Sequence, residues 1–197
     1  MNESGIVTLP KVLEDRVIHR SAMMNVMLVV SASVLLALSA QVAVVLPFSP
    51  VPMTLQSLAV LLIGAVLGSR RGAAAVILYL VEALSGFPVL AHGGAGLLPF
   101  VGPTAGFLYA FPAAAFITGF AAEKGWTRTL AGTTASMLAA TAVIHVGGWS
   151  WLAAPLHLGA AKAFTIGSLP FLAGDLVKVA IAAAILPSAH RLIRRFA

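Results

Sequence analysis

Apolar residues run along this chain in long blocks that no charge interrupts, and the polar residues gather where the blocks end. No Asp, Glu, Lys or Arg occurs from Ser21 to Ser69, from Ala83 to Ala122, or from Thr129 to Ala161. A helix crosses a bilayer with about 20 apolar residues, so several of these gaps are long enough to hold two crossings and a turn. Glycine and proline gather between the blocks and mark the turns. The pattern predicts six membrane helices: Met24–Val45, Thr54–Gly68, Gly72–Leu84, Gly106–Ala122, Leu130–Gly147 and Leu169–His190. The fold class that follows is an all-α membrane bundle with structured outer loops.

The second and third blocks are short. At about 1.5 Å per residue they reach only some 20 Å, so they are expected to be part-embedded or to continue into their turns. Basic residues set the orientation, because Lys and Arg in short loops stay on the cytoplasmic side. Lys11, Arg16 and Arg20 precede the first block, Arg70 and Arg71 join the second to the third, Lys124 and Arg128 join the fourth to the fifth, and Arg191, Arg194 and Arg195 follow the sixth. The alternate connections carry only Lys162. Both termini are therefore expected in the cytoplasm. Residues 1–23 read as an amino-terminal segment, with Val7–His19 lying along the inner surface. Residues 24–197 read as a single membrane domain without internal repeats. The first block is longer than the core of a typical signal peptide, which argues against cleavage.

Composition narrows the possibilities further. With 60% hydrophobic and 9% charged residues in 197, the chain is too apolar for a water-soluble domain. Its formal charge of +6 would suit nucleic acid, but the basic residues sit singly or in pairs at block ends instead of along one polar face. There is no cysteine, which excludes disulfides and thiolate metal sites. The histidines fit no compact zinc motif, so neither a metal nor a cofactor is expected.

One stretch stands out chemically. Asp175 and Lys178 are three apart near the start of the last block and so share a helix face. An ionised side chain in lipid costs about 2.5–3.5 kcal/mol on insertion scales, which makes the pair a candidate binding site. The structural alternative is an ion pair that merely lets the last helix sit in the membrane. Three outer connections are also rich in turn residues: Pro47 to Gln56, Gly86 to Gly96 with Gly102 to Phe107, and the segment leading to Asp175. Irregular backbone at membrane depth survives where it lines a cavity, so these loops are expected to lid a small pocket.

Five segments in order, Pro-Val-Pro-Met-Thr-Leu-Gln at 50–56, Leu-Gly-Ser-Arg-Arg-Gly at 67–72, Gly-Phe-Pro-Val at 86–89, Gly-Pro-Thr-Ala-Gly-Phe at 102–107 and Pro-Phe-Leu-Ala-Gly-Asp-Leu-Val-Lys at 170–178, closely resemble the BioY family. These are the biotin-specific substrate-capture (S) components of energy-coupling-factor transporters. The resemblance runs from about residue 25 to the end. It implies a six-helix protein of the bacterial cytoplasmic membrane that captures biotin from outside. It implies as partners a transmembrane coupling subunit and two cytoplasmic ATPases, with release of the vitamin by tilting in the membrane. The chain has no Gly-Lys dipeptide and hence no Walker-type phosphate loop, so the energy must come from those partners. An enzyme is not expected.

Biotin presents two ureido N–H donors, one ureido carbonyl, an apolar ring and a carboxylate tail. Asp175 suits the N–H groups, and Lys178 suits the carbonyl or the carboxylate. Gln56 is either a ligand contact or a helix-start residue bonding nearby backbone. Thr104 is either a helix cap or a ligand contact, and the helix end it caps favours an anion. His92 could offer a donor from its glycine-rich loop, although a surface position is the default. Glu82 is expected to pair with Lys178 or Lys162. Of the aromatics Phe87, Phe107, Tyr109, Trp149 and Trp151, Phe107 and Tyr109 are chosen to stack on the ligand, the others being interfacial anchors. Ser33, Ala37 and Ala40 form a small-residue face on the first helix, which the resemblance assigns to the coupling subunit and ordinary packing assigns to the bundle. Leu97 to Val101 carries no charge, which leaves Lys162 and Lys178 as the cations near a carboxylate tail.

Three other functions compete. An S component for another vitamin differs only in its ligand. An intramembrane hydrolase built from His145, His157, Ser150 and Asp175 lacks a Gly-x-Ser-x-Gly elbow. A membrane scaffold would tolerate loss of Asp175 and Lys178.

Overall fold

A computed structural model describes residues 22–154 and 156–196, with side chains through residue 188. The first helix, α1 (Ala22–Gln41), leads into two short antiparallel strands, β1 (Ala43–Val44) and β2 (Met53–Thr54). Ala43 pairs with Thr54, and Val44 with Met53. Next come α2 (Gln56–Leu67), α3 (Ser69–Leu84), α4 (Ala105–Glu123) and α5 (Leu130–Ala153), then a short α6 (Ala160–Gly167) and the long α7 (Leu169–Phe196). One helical turn, Leu98–Val101, interrupts the α3–α4 connection. The amino-terminal segment expected at 1–23 lies outside the described residues, apart from its last two.

Among the described residues, four helices are long and apolar enough to cross a membrane: α1, α4, α5 and Leu169–Ser188 of α7. Their outer faces support that reading. Val26, Met27, Val30, Val34, Leu35 and Leu38 of α1 all face outward, as do Leu176, Val177, Ile181 and Ile185 of α7. An apolar exterior of this extent has no place in water, and the protein is an integral membrane protein.

Each of the six expected blocks contains a helix, but several ends differ: the first helix stops at Gln41, and Ala43–Val44 of the expected Met24–Val45 form β1. α3 begins at Ser69, so Arg70 and Arg71 belong to its first turn instead of to a loop. The whole turn is Gly68, whose φ of 85° suits a residue without Cβ. α5 continues past Gly147 to Ala153. Gly147 and Gly148 are tolerated inside it because they admit neighbours: a methyl at Gly147 would press on Ala110, and one at Gly148 would overlap the Phe107 ring. The proline-rich stretch before α2 closes a small β-ribbon within an otherwise helical chain.

The core forms around α4, which packs against α2, α3 and α5. At the end of the bundle near Gly68, glycines let backbones touch. A Cβ at Gly64 would collide with Ala115 and Thr118, at Gly72 with Gly64, and at Gly119 with Gly68 and Ser69. The Glu123 carboxylate completes that corner. It accepts from the Ser69 backbone N–H (2.6 Å) and hydroxyl (2.9 and 3.0 Å), capping α3 from another helix.

The contacts of α1 correct one expectation. Of the small-residue stripe on α1, Ser33 and Ala40 are buried within the bundle and Ala37 is half-buried. Glu82 pairs with neither lysine; its carboxylate accepts from the Ser33 hydroxyl at 3.0 Å. That bond ties α1 to α3 and gives a carboxylate on an apolar helix a partner.

Candidate functional site

At the end of the bundle opposite Gly68, the helices part around a cavity of about 440 Å³. α2 has only 12 residues, about 18 Å, and the ribbon with Pro52 takes the place of its missing outer turns. The roof comes from Val51–Thr54, from Leu90, Ala91 and Gly94, and from Leu98, Pro99 and Gly102–Thr104. Gln41, the last residue of α1, holds this roof. Its Nε2 donates to the carbonyls of Val89 (3.3 Å) and Leu90 (3.1 Å). Phe107, Leu108, Phe111, Ile144 and Phe171 make the walls apolar.

The polar floor is built from three helices. Asp175 lies about 9 Å, and Lys178 about 14 Å, along α7 from Leu169. Both are buried. Lys178 Nζ donates to Asp175 Oδ1 and to Ser57 Oγ of α2, each at 2.8 Å. The other carboxylate oxygen, Oδ2, is 2.8 Å from His145 Nε2 on α5. Three residues of α5 after His145 comes Gly148, whose missing side chain lets Phe107 set its ring edge-on to the imidazole, with centroids 6.5 Å apart. A buried carboxylate therefore has a donor on each oxygen, and a second lone pair on each remains. Lys178 uses two of its three N–H groups in this network and retains one. The floor can thus accept from a ligand N–H and donate to an adjacent ligand oxygen, with charge-assisted bonds worth about 1.5–3 kcal/mol each.

Of the expected ligand contacts, Asp175, Lys178, Gln56, Thr104 and Phe107 come together on this cavity. Gln56 is buried, and its Nε2 donates to the Tyr79 hydroxyl at 2.9 Å, which in turn donates to the Val89 carbonyl at 3.1 Å. Gln56 thus links α2 to the roof through α3. Thr104 precedes α4 but does not cap it; its hydroxyl donates to the Pro99 carbonyl at 3.1 Å and closes the roof turn. His92 and Tyr109 are not brought to the cavity. His92 is exposed on a 3₁₀ turn with φ 56°. The Tyr109 hydroxyl donates to the Phe100 carbonyl at 2.6 Å, and its ring meets Trp151 edge-on at 5.5 Å.

Phe87 is exposed on its loop and does not line the cavity, and Trp149 packs on Phe164 instead. Sequence reasoning missed Ser57 and gave His145 only a role in a disfavoured hydrolase. A signal for His145 existed: it is an ionisable residue inside a block free of Asp, Glu, Lys and Arg, where such a group marks function.

The profile of the BioY family matches residues 12–195. The chain belongs to the BioY family. Among its relatives, a protein of Rhizobium etli named biotin transporter BioY is 40% identical over 159 residues, covering 77% of this chain and 84% of that one. A Rhodobacter capsulatus protein of the same name is 43% identical over 163 residues, covering 76% and 84%. The solved S component for biotin from an ECF-type ABC transporter shares the fold, with a TM-score of 0.78 at 23% identity over 86% of this chain and 92% of that chain. The cavity and its ionic floor are thus features of a BioY chain with an S-component fold.

Proposed function

We propose that this chain is the biotin-capturing membrane subunit of an energy-coupling-factor transporter, taking the vitamin from the outer side and passing it inward with a coupling subunit and two ATPases. It is a transport component and needs no cofactor. The observation that carries this reading is the Asp175–Lys178 pair on the floor of an otherwise apolar cavity. A cyclic urea suits that floor: one of its N–H groups donates to Asp175, and its carbonyl accepts from Lys178. Phe107, Phe111 and Phe171 supply the greasy wall for the fused rings. The tail then runs up toward Gln56 and Thr104, and its carboxylate meets the amino-terminal end of α4, where the partial positive charge of the helix favours an anion.

In this reading α1 to α5 and α7 are six crossings, preceded by the segment 1–23, and α6 lies at the outer interface. The cavity opens outward, and Arg70, Arg71, Lys124 and Arg128 mark the cytoplasmic end, where both termini lie. Residues 24–197 work as one domain. Isothermal titration of the purified protein with biotin, thiamin and riboflavin tests the assignment. Tight binding of biotin alone is expected; tight binding of another vitamin, or of none, would overturn it.

A further inference from the structure

We propose that His145 is a positioning residue for ligand recognition, which braces the Asp175 carboxylate from α5 and so sets the selectivity of the site for a ring bearing a free N–H. The inference rests on the reading of the cavity as a biotin site. It begins from the geometry of the floor.

Asp175 and Lys178 sit on one helix, and a pair confined to one helix face can swing together. His145 comes from a different helix and reaches the oxygen that Lys178 leaves, at 2.8 Å. The carboxylate is thereby held at both oxygens from two directions, which fixes its plane. The imidazole is itself confined: it is buried, Phe107 stands edge-on against it, and Gly148 makes the space that lets Phe107 do so.

The two ring nitrogens have different surroundings. Nδ1 is shielded and has no hydrogen-bond partner. A proton on Nδ1 would leave a buried donor unsatisfied, whereas a proton on Nε2 is donated to Asp175. With a proton on Nε2 the ring donates to Asp175 Oδ2. Each carboxylate oxygen then carries one internal donor and keeps one lone pair for a ligand. The two N–H groups of a cyclic urea point to opposite sides of its carbonyl, so Asp175 accepts from one of them, and a ring nitrogen that lacks a proton there finds only an acceptor facing it.

Five forms of the chain test this: wild type, His145→Leu, His145→Gln, Asp175→Asn, and Asp175→Asn combined with His145→Leu. Titration with biotin and with biotin alkylated on a ring nitrogen provides the readout. His145→Leu is expected to weaken biotin binding about tenfold or more and to narrow the gap between biotin and its alkylated analogue. His145→Gln, whose amide N–H can still reach Asp175, is expected to stay within about threefold of wild type. In the Asp175→Asn background, removing His145 is expected to change affinity by less than about twofold, because the group it positions is gone. A role confined to packing would give the same loss in both backgrounds and no rescue by Gln.

Should His145→Leu fail to fold, His145→Asn replaces it, since its shorter amide falls short of Asp175 and the same loss is expected. The inference is overturned if His145→Leu binds biotin like wild type with the analogue gap unchanged, or if a folded His145→Gln is as weak as His145→Leu. A wild-type chain that binds no biotin would instead remove the underlying reading of the site, and this inference with it.

Discussion

The two ends of the bundle treat a carboxylate in opposite ways. Near Gly68, Glu123 is exposed, and its bonds to the Ser69 N–H and hydroxyl cap a helix at a corner where glycines bring backbones into contact. At the other end Asp175 is buried, its partners are side chains from two other positions, and a cavity stands beside it. Close glycine contact closes space, and a carboxylate there serves structure. Bulky phenylalanines hold helices apart, and a carboxylate between them keeps bonding capacity for something that enters. The chemical group is the same; its surroundings decide whether it holds the fold or a ligand.

Substitutions at the two ends should therefore separate binding from stability. The largest expected effect is at the cavity. Asp175→Asn or Lys178→Met should weaken biotin binding tenfold or more, about 1.4 kcal/mol or above, while the protein still inserts in the membrane and elutes as a single species. Calorimetric titration of each variant checks this, and unchanged affinity in both would remove the floor from the site.

Next comes the glycine corner. Gly119→Ala places a methyl against the Gly68 and Ser69 backbone and should destabilise the fold by about 1–3 kcal/mol, measured by unfolding in mixed micelles, with biotin affinity of the folded fraction unchanged. Glu123→Gln is expected to lower stability less, by about 0.5–2 kcal/mol, the range for loss of a helix cap, again without affecting binding. The smallest effect is predicted for the two residues that the fold keeps off the cavity: His92→Ala and Tyr109→Phe should each bind biotin within about twofold of wild type. A large loss in either would extend the site beyond the walls described.

What could be read from the chain, and what could not, follows the same division between local and distant causes. Uninterrupted apolar blocks located the helices because lipid tolerates little else. The i, i+3 spacing of Asp175 and Lys178 placed both on one face before any partner was known. Ends set by distant groups were not legible. The start of α3 depends on Gly68 as a one-residue turn and on a carboxylate 54 positions away, and no local pattern announces either. Likewise α5 runs through Gly147 and Gly148 because α4 fills the space those residues leave. The ribbon before α2 was seen only as a proline-rich turn. At the site, Ser57 and His145 were hidden because their importance lies in reaching Lys178 and Asp175 from other helices. Glu82 was misassigned for a related reason: Ser33 faces inward, and it is the partner Glu82 finds.

The clasp between Gln41 and the carbonyls of Val89 and Leu90 has a kinetic meaning. The polar floor sits on helices, whereas the roof above it is loop, tied by Gln41 to Val89 and Leu90, by Tyr79 to Val89, by Thr104 to Pro99 and by Trp151 to Gly102. Loosening one of these ties, as in Gln41→Ala, is expected to change how fast a ligand exchanges more than the affinity that the charges below would set.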